Sequence, residues 1–158
     1  MNKTTAWILL IALGAILLSA SFCAPYYLSD DGNTFFKNFA THELLSVLGV
    51  IVTITLASAA NLHLALNKLQ DEIDDDFTEA RAAIRLSSHA LIAAFVLAGV
   101  LVMAKPTAVP TQTVTALFNS GVVLLLVFSV AVLWDLTAAV FDIPPLKDLK
   151  ARQDEKGK

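Results

Sequence analysis

The sequence predicts an all-α polytopic membrane protein with four transmembrane helices and a helical cytoplasmic hairpin between the second and third. Four long runs contain no Asp, Glu, Lys or Arg, and they cover Thr5–Cys23, Leu44–Leu66, Leu86–Ala104 and Thr113–Leu133. A helix needs about 20 apolar residues to cross the hydrocarbon of a bilayer. Helices satisfy their own backbone hydrogen bonds where water is absent. We therefore expect each run to be one crossing within a transmembrane domain of residues 1–143.

The composition agrees with this class of protein. The chain is 56% hydrophobic and 16% charged, and its mean hydropathy is +0.68, which exceeds the values of soluble domains. The net charge is only −3, so we expect the lipid bilayer as a partner and expect no nucleic acid. A single cysteine, Cys23, excludes an intrachain disulfide. The absence of any Cys/His cluster in the sequence argues against a structural metal site.

The positions of Lys and Arg predict the orientation, because basic residues in short loops tend to stay on the cytoplasmic side. In a four-span arrangement Lys37 and Lys105 fall on one side, and all other basic residues fall on the opposite side. Those others are Lys3, Lys68, Arg81, Arg85, Lys147, Lys150, Arg152, Lys156 and Lys158. We expect a bacterial-type inner membrane protein whose termini and central loop are cytoplasmic. The polar tail covers residues 144–158.

The first span has an alternative interpretation. Its basic start at Lys3 and its small residues Ser19, Ala20 and Ser21 resemble a cleavable secretory signal. The apolar run is longer than the usual core of such a signal, so we expect a retained span. Cleavage would leave three spans and the same cytoplasmic loop.

The connection between the first two spans contains a turn and an aromatic segment. Ser29 to Asn33 reads SDDGN, which is a turn composition. Phe35, Phe36 and Phe39 follow at near-helical spacing, which predicts a short amphipathic helix on the outer leaflet. We expect this helix to anchor the chain at the interface; the alternative is a partner site.

Residues 67–85 lie between the second and third spans and form the predicted cytoplasmic hairpin. They contain neither Gly nor Pro, so both flanking helices are expected to continue out of the membrane. Asp76 and Glu79 have the spacing of a capping box, which predicts that the next helix begins at about Phe77. The turn is then Asp74–Asp76. Its acidic run lacks the spacing of a calcium loop, and we expect a solvated turn that offers a docking point to a cytoplasmic protein.

A hairpin with this turn brings facing positions together in one seam. The expected pairs are Asp71 with Arg81, Asn67 with Arg85, and His63 with His89. The pairs are four residues apart on each helix, so they share a face. Two alternatives stay open: the arginines are simply solvated, or a change of one residue in the turn shifts the pairing.

His63 and His89 are the candidate cofactor residues. At matched depth on adjacent helices, two imidazoles can ligate a b-type haem, bind a metal or respond to protons. Interfacial histidines that hydrogen bond to neighbours are more common, so we expect no cofactor and keep haem b as the alternative.

A stripe of small and polar residues follows the second span. Gly49, Thr53, Ala57 and Asn61 recur at intervals of four, and the fourth span contains Asn119. Small residues allow helices to approach closely in lipid, and an Asn in hydrocarbon needs a partner. The stripe predicts helix packing within the bundle, contacts between subunits, or the wall of a pore.

The sequence contains no catalytic motif, so we expect a protein that is not an enzyme. The hypothesis is a homo-oligomeric pore or membrane-permeability effector that is controlled by its cytoplasmic hairpin. The alternative is a membrane anchor or b-haem electron-transfer subunit of a larger complex.

Overall fold

The computed structural model describes residues 3–73, 77–105 and 111–141, with side chains for 5–70, 77–105 and 111–138, and every regular element in these ranges is helical. Four of its helices are long and apolar enough to span a membrane, which confirms the all-α prediction and marks a multi-pass membrane protein. The helices are α1 (Lys3–Cys23), a short α2 (Thr34–Asn38), α3 (Leu44–Ile73), α4 (Thr78–Ala104) and α5 (Gln112–Phe141).

The connection from α1 to α3 folds back onto the end of the bundle. A short 3-10 helix, Pro25–Leu28, follows α1 directly. Asn33 then begins α2, because its Oδ1 accepts a hydrogen bond of 3.0 Å from the Phe35 backbone N–H. The predicted aromatic helix is therefore present, although it covers only one turn.

The three phenylalanines of this segment divide between the core and the surface. Phe36 is buried, and Phe39 packs against a core cluster that includes Ala40 and Leu44. Phe35 is exposed and stacks on Phe39 with ring centroids 4.9 Å apart. The segment thus packs on the bundle through Phe36 and Phe39, and Phe35 is the ring that remains available to a membrane interface.

A kink separates α2 from α3. Ala40 and Thr41 leave helical geometry, with ψ angles of 49° and −150°. Ala40 is nevertheless buried and belongs to the same core cluster as Leu44 and Leu48. The kink therefore turns the chain sharply while its backbone stays packed against the bundle.

Helices α3 and α4 extend beyond their apolar runs. The runs end at Leu66 and begin again at Leu86, whereas α3 continues to Ile73 and α4 begins at Thr78. At 1.5 Å per residue, each extension adds about 10 Å of helix. The predicted turn, Asp74–Asp76, lies outside the described residues.

The predicted start of α4 is close to the observed one. Phe77 occupies the N-cap position and makes no side-chain capping bond. Asp76, the expected capping residue, lies outside the described residues, so the capping box stays a prediction.

Two core clusters show that α3 and α4 run antiparallel, and that α4 and α5 do so too. One cluster joins Leu44 and Leu48 near the start of α3 to Ala98 near the end of α4 and to Val122 of α5. The other lies at the opposite end of the bundle, and it contains Ala59, Leu66, Ile84, Leu91 and Leu136. Helix α5 packs against α1, α3 and α4, whereas α1 packs mainly against α5 and the 3-10 helix. Helix α5 is therefore the common neighbour of the other long helices.

Gly32 is required by a close approach of the backbone. A Cβ atom placed on Gly32 would lie 2.0 Å from the carbonyl oxygen of Tyr26. Real atoms do not approach so closely, so any side chain at this position must displace the turn. The turn composition that predicts a loop here thus contains one residue that the packing makes obligatory.

We predict that Gly32→Ala destabilises the protein, since the new methyl group must push the Tyr26 carbonyl away. The expected loss is about 1 to 3 kcal/mol, the usual range for such backbone effects. Gly99→Ala is the matched control, because no heavy atom lies within 4 Å of a Cβ there and Ala favours a helix. Thermal unfolding in detergent, followed by circular dichroism, measures both. Equal stability of the two variants would contradict the conclusion that the Tyr26 carbonyl requires glycine at position 32.

Candidate functional site

A cleft between α3 and α4 is lined by three of the polar residues that the sequence singles out, His63, Arg81 and Arg85, and we call it the basic cleft. Its volume is about 570 Å³. Its polar lining consists of His63, Thr78, Arg81, Arg85 and Ser88, and its apolar lining consists of Leu56, Ala59, Ala60, Ala82 and Ile84. The polar residues lie toward the ends of α3 and α4 that carry the helical extensions. We call this end of the bundle the Arg81 end.

Arg81 is half-buried and only partly hydrogen bonded. Its Nη2 donates to Oε1 of Gln70. Its Nε is buried and has no hydrogen-bond partner within the described residues. Asp71 was the expected partner of Arg81, but its side chain lies outside the described residues, so that ion pair stays a prediction. Gln70, the residue before Asp71, is the partner of Arg81 among the described residues.

The second predicted pair, Asn67 with Arg85, is not joined by a hydrogen bond in the described part of the chain. Asn67 is half-buried, whereas Arg85 is exposed and lines the basic cleft. Ser88 lies one turn further along α4, and its hydroxyl donates to the Ile84 carbonyl at 2.8 Å. The guanidinium of Arg85 therefore has no hydrogen-bond acceptor among the side chains of α3 that the structure describes, up to residue 70.

His63 and His89 do not both line the basic cleft. His63 lines the basic cleft, but His89 is not among its lining residues. His89 is exposed, and its Nδ1 lies 2.7 Å from the backbone oxygen of Arg85 on the same helix. Among the described residues, no group of three or more His, Cys, Asp or Glu is placed to hold a metal ion. The haem alternative thus gains no support from the arrangement of the imidazoles.

The opposite end of the bundle contains a polar network centred on Asn119, and we call it the Asn119 cluster. The fully buried Asn119 donates through Nδ2 to the Leu28 carbonyl at 2.7 Å and to Oδ1 of Asp30 at 2.9 Å. Its Oδ1 accepts a hydrogen bond of 2.9 Å from Nζ of Lys105. Lys105 also pairs with Asp30 at 2.9 Å. One amide thus ties the first loop and the end of α4 to α5.

Sequence reasoning named Asn119 but missed its partners. Asp30 and Lys105 are separated by 75 residues, and Asn119 and Asp30 by 89. The available signal was a pair of opposite charges at span ends predicted to lie on the same side. A hydroxyl pair between Ser21 and Ser120, 2.8 Å apart, was also missed. Together these contacts hold α1, the first loop and α4 against α5.

An apolar groove lies between α1, α4 and α5 at the Arg81 end. Its volume is about 420 Å³, and its lining includes Trp7 of α1, Ser87 of α4, and Trp134 and Asp135 of α5. Both tryptophans are exposed, which suits rings at the boundary of a membrane. Asp135 is exposed and adjoins Trp134, so it is placed to remain hydrated.

The stripe of α3 divides between an inner and an outer face. Gly49 is half-buried, and a Cβ there would lie 3.7 Å from the Phe95 ring of α4. Thr53, Ala57 and Asn61 are exposed and point away from the bundle. The hydroxyl of Thr53 donates to the Gly49 carbonyl at 2.7 Å. Of these four stripe residues, Gly49 is therefore the one that packs against α4.

The sequence matches no known family model, no curated protein and no solved structure. The functional interpretation therefore rests on the residues and their geometry.

We predict that Asn119→Ala lowers stability, because it removes three hydrogen bonds and leaves the Asp30–Lys105 pair without its buried partner. Hydrogen bonds to charged groups contribute about 1.5 to 3 kcal/mol, so a loss of that order is expected. Asn38→Ala is the control, since the Asn38 side chain is exposed on the short helix α2. Chemical denaturation in detergent provides the comparison. Equal midpoints for the two variants would show that the cluster does not stabilise the bundle.

Proposed function

We propose that this chain is an integral protein of a bacterial-type inner membrane that acts without catalysis, through self-association. Four apolar helices of spanning length support the membrane assignment. The proposed orientation places both termini and the Arg81 end in the cytoplasm. Its support is the distribution of Lys and Arg, since Lys37 and Lys105 are the basic residues at the opposite end.

The observation that carries the proposal is the outward face of α3. Thr53, Ala57 and Asn61 are exposed, so packing within one bundle does not explain them. Thr53 satisfies its hydroxyl within its own helix. The Asn61 side chain has no hydrogen bond in the described part of the chain. An amide that faces lipid gains a partner when a second copy covers it, and small neighbours allow the close approach this needs.

Self-association along this face also gives the proposal its mechanism. Ser46, Thr53 and Asn61 place polar groups along the exposed side of α3. Copies arranged around an axis with these faces inward would line a polar passage through the membrane. The acidic hairpin between α3 and α4 is then the proposed docking point through which a cytoplasmic protein controls the oligomer.

The orientation is tested by labelling single cysteines in cells. With Cys23 replaced by Ser, a cysteine at Asp31 should react with an impermeant thiol reagent in intact cells. Cysteines at Asp75 and Lys156 should react only after lysis. Labelling of position 75 from outside would reverse the orientation that the basic residues predict.

Self-association is tested by substituting matched alanines. We predict that Ala57→Leu yields a smaller species in detergent than the unchanged protein, because the added bulk separates the α3 faces. Ala93→Leu is the control, as Ala93 is also exposed but lies on α4. Light scattering coupled to size exclusion measures the protein mass, and circular dichroism checks folding.

Two outcomes would overturn the proposal. A monomeric mass for the unchanged protein and both variants would remove the oligomer. A haem absorbance band in the purified protein would instead support the electron-transfer alternative.

Release of a small dye from liposomes tests the pore, and Ala57→Leu should slow this release while Ala93→Leu should not.

A further inference from the structure

The lining of the basic cleft changes from polar to apolar along its length. Arg81 and Arg85 precede the apolar run of α4, which begins at Leu86. On α3, His63 lies near the end of the apolar run, and Leu56 lies seven residues deeper within it. Seven residues of helix span about 10 Å. The cleft is therefore cationic where the helices leave the apolar region and hydrocarbon-lined about 10 Å further in.

One hydrogen-bond donor of Arg81 has no partner among the described residues. Its Nη2 is occupied by Gln70, but its buried Nε has no acceptor there. A buried donor without an acceptor is costly, at about 1 to 3 kcal/mol. The Nε is not exposed to the cleft, so a ligand oxygen removes this cost only when the guanidinium turns toward the cleft. A planar guanidinium can donate two parallel hydrogen bonds to two oxygen atoms of one phosphate, a geometry that an ammonium group does not provide.

The charged side chains that line the cleft favour an anion. Both are arginines of α4, Arg81 and Arg85, and the imidazole of His63 lines the cleft from α3. None of the described residues that line the cleft carries a carboxylate.

We propose that the basic cleft binds one anionic phospholipid, with its phosphate between Arg81 and Arg85 and an acyl chain along Leu56, Ala59 and Ala60. A free anion would use only the cationic half, whereas a phospholipid uses both halves at the depth where its own headgroup and chain meet. Basic pockets between transmembrane helices on the cytoplasmic side suit anionic lipid headgroups. The site lies within a single chain, so it needs membrane insertion and does not depend on self-association.

The test uses native mass spectrometry of the purified full-length protein in detergent, titrated with phosphatidylglycerol or with phosphatidylcholine of the same acyl chains. The unchanged protein should bind one phosphatidylglycerol at least about tenfold more tightly than phosphatidylcholine. Arg85→Gln should weaken phosphatidylglycerol binding by about tenfold or more, as expected for a lost hydrogen bond to a charged group. Arg85 is exposed, so this variant should fold.

Further variants separate the cleft from the general charge of this end. Lys68→Gln removes an exposed cation of α3 that does not line the cleft, and it should change affinity by less than about twofold. Arg81→Lys keeps the charge but removes Nε and the planar fork, and it should weaken binding by about fivefold. Ala60→Trp fills the apolar half and should weaken binding, whereas Ala93→Trp on the exposed side of α4 should not.

Several results would overturn the proposal. Equal affinity for the two lipids, or an unchanged affinity in Arg85→Gln, would remove the phosphate contact. An equal loss in Lys68→Gln would replace the cleft with a diffuse surface attraction. Displacement of the lipid by millimolar inorganic phosphate, with Ala60→Trp without effect, would show an anion site that holds no acyl chain.

Discussion

The structure depends on the requirement that polar groups inside an apolar bundle find partners within the protein, because burying them without hydrogen bonds is costly. Buried hydroxyl groups find a partner in their own helix: Thr55 donates to the Ile51 carbonyl at 2.6 Å, and Ser129 donates to the Leu125 carbonyl at 2.8 Å. Asn119 has too many donors and acceptors for a local solution. It is satisfied by the Asn119 cluster, which fixes α5 relative to α4 and the first loop.

The same requirement explains where the functional candidates lie. Asn61 and Arg81 are polar residues whose hydrogen bonding is incomplete in the described part of the chain. Asn61 faces outward, so a second copy of the chain is the proposed partner. Arg81 lines the basic cleft and its Nε is buried, so the proposed partner is a ligand in the cleft, once the guanidinium turns toward it. Both proposals therefore have one physical origin, and they differ because Asn61 lies on the outer surface of the bundle and Arg81 lines a cleft.

The sequence predicts the helices well because hydropathy is a local property. The charge-free run that ends at Cys23 ends where α1 ends, and the lack of Gly and Pro after Leu66 correctly indicates that α3 continues. The contacts of Asn119 could not be predicted from hydropathy, because they join residues as far apart as 91 positions. The contact of Arg81 with Gln70 depends on helix register, which hydropathy does not specify. The outward direction of Ala57 was also unpredictable, since small residues suit contacts within and between bundles equally.

The position of α1 has a consequence for how the chain assembles during synthesis. Helix α1 is made before the other long helices described, yet it packs mainly against α5, which is made after them, and the Ser21–Ser120 hydroxyl pair joins residues 99 positions apart. At the usual rate of about 5 to 20 residues per second, Ser120 is made roughly 5 to 20 s after Ser21. The antiparallel pair of α3 and α4 can form within that interval. Helix α1 therefore waits for its main partner, and the residues that meet α5, Gly14 beside Leu124 and Ser21 beside Ser120, lack these neighbours until α5 is made.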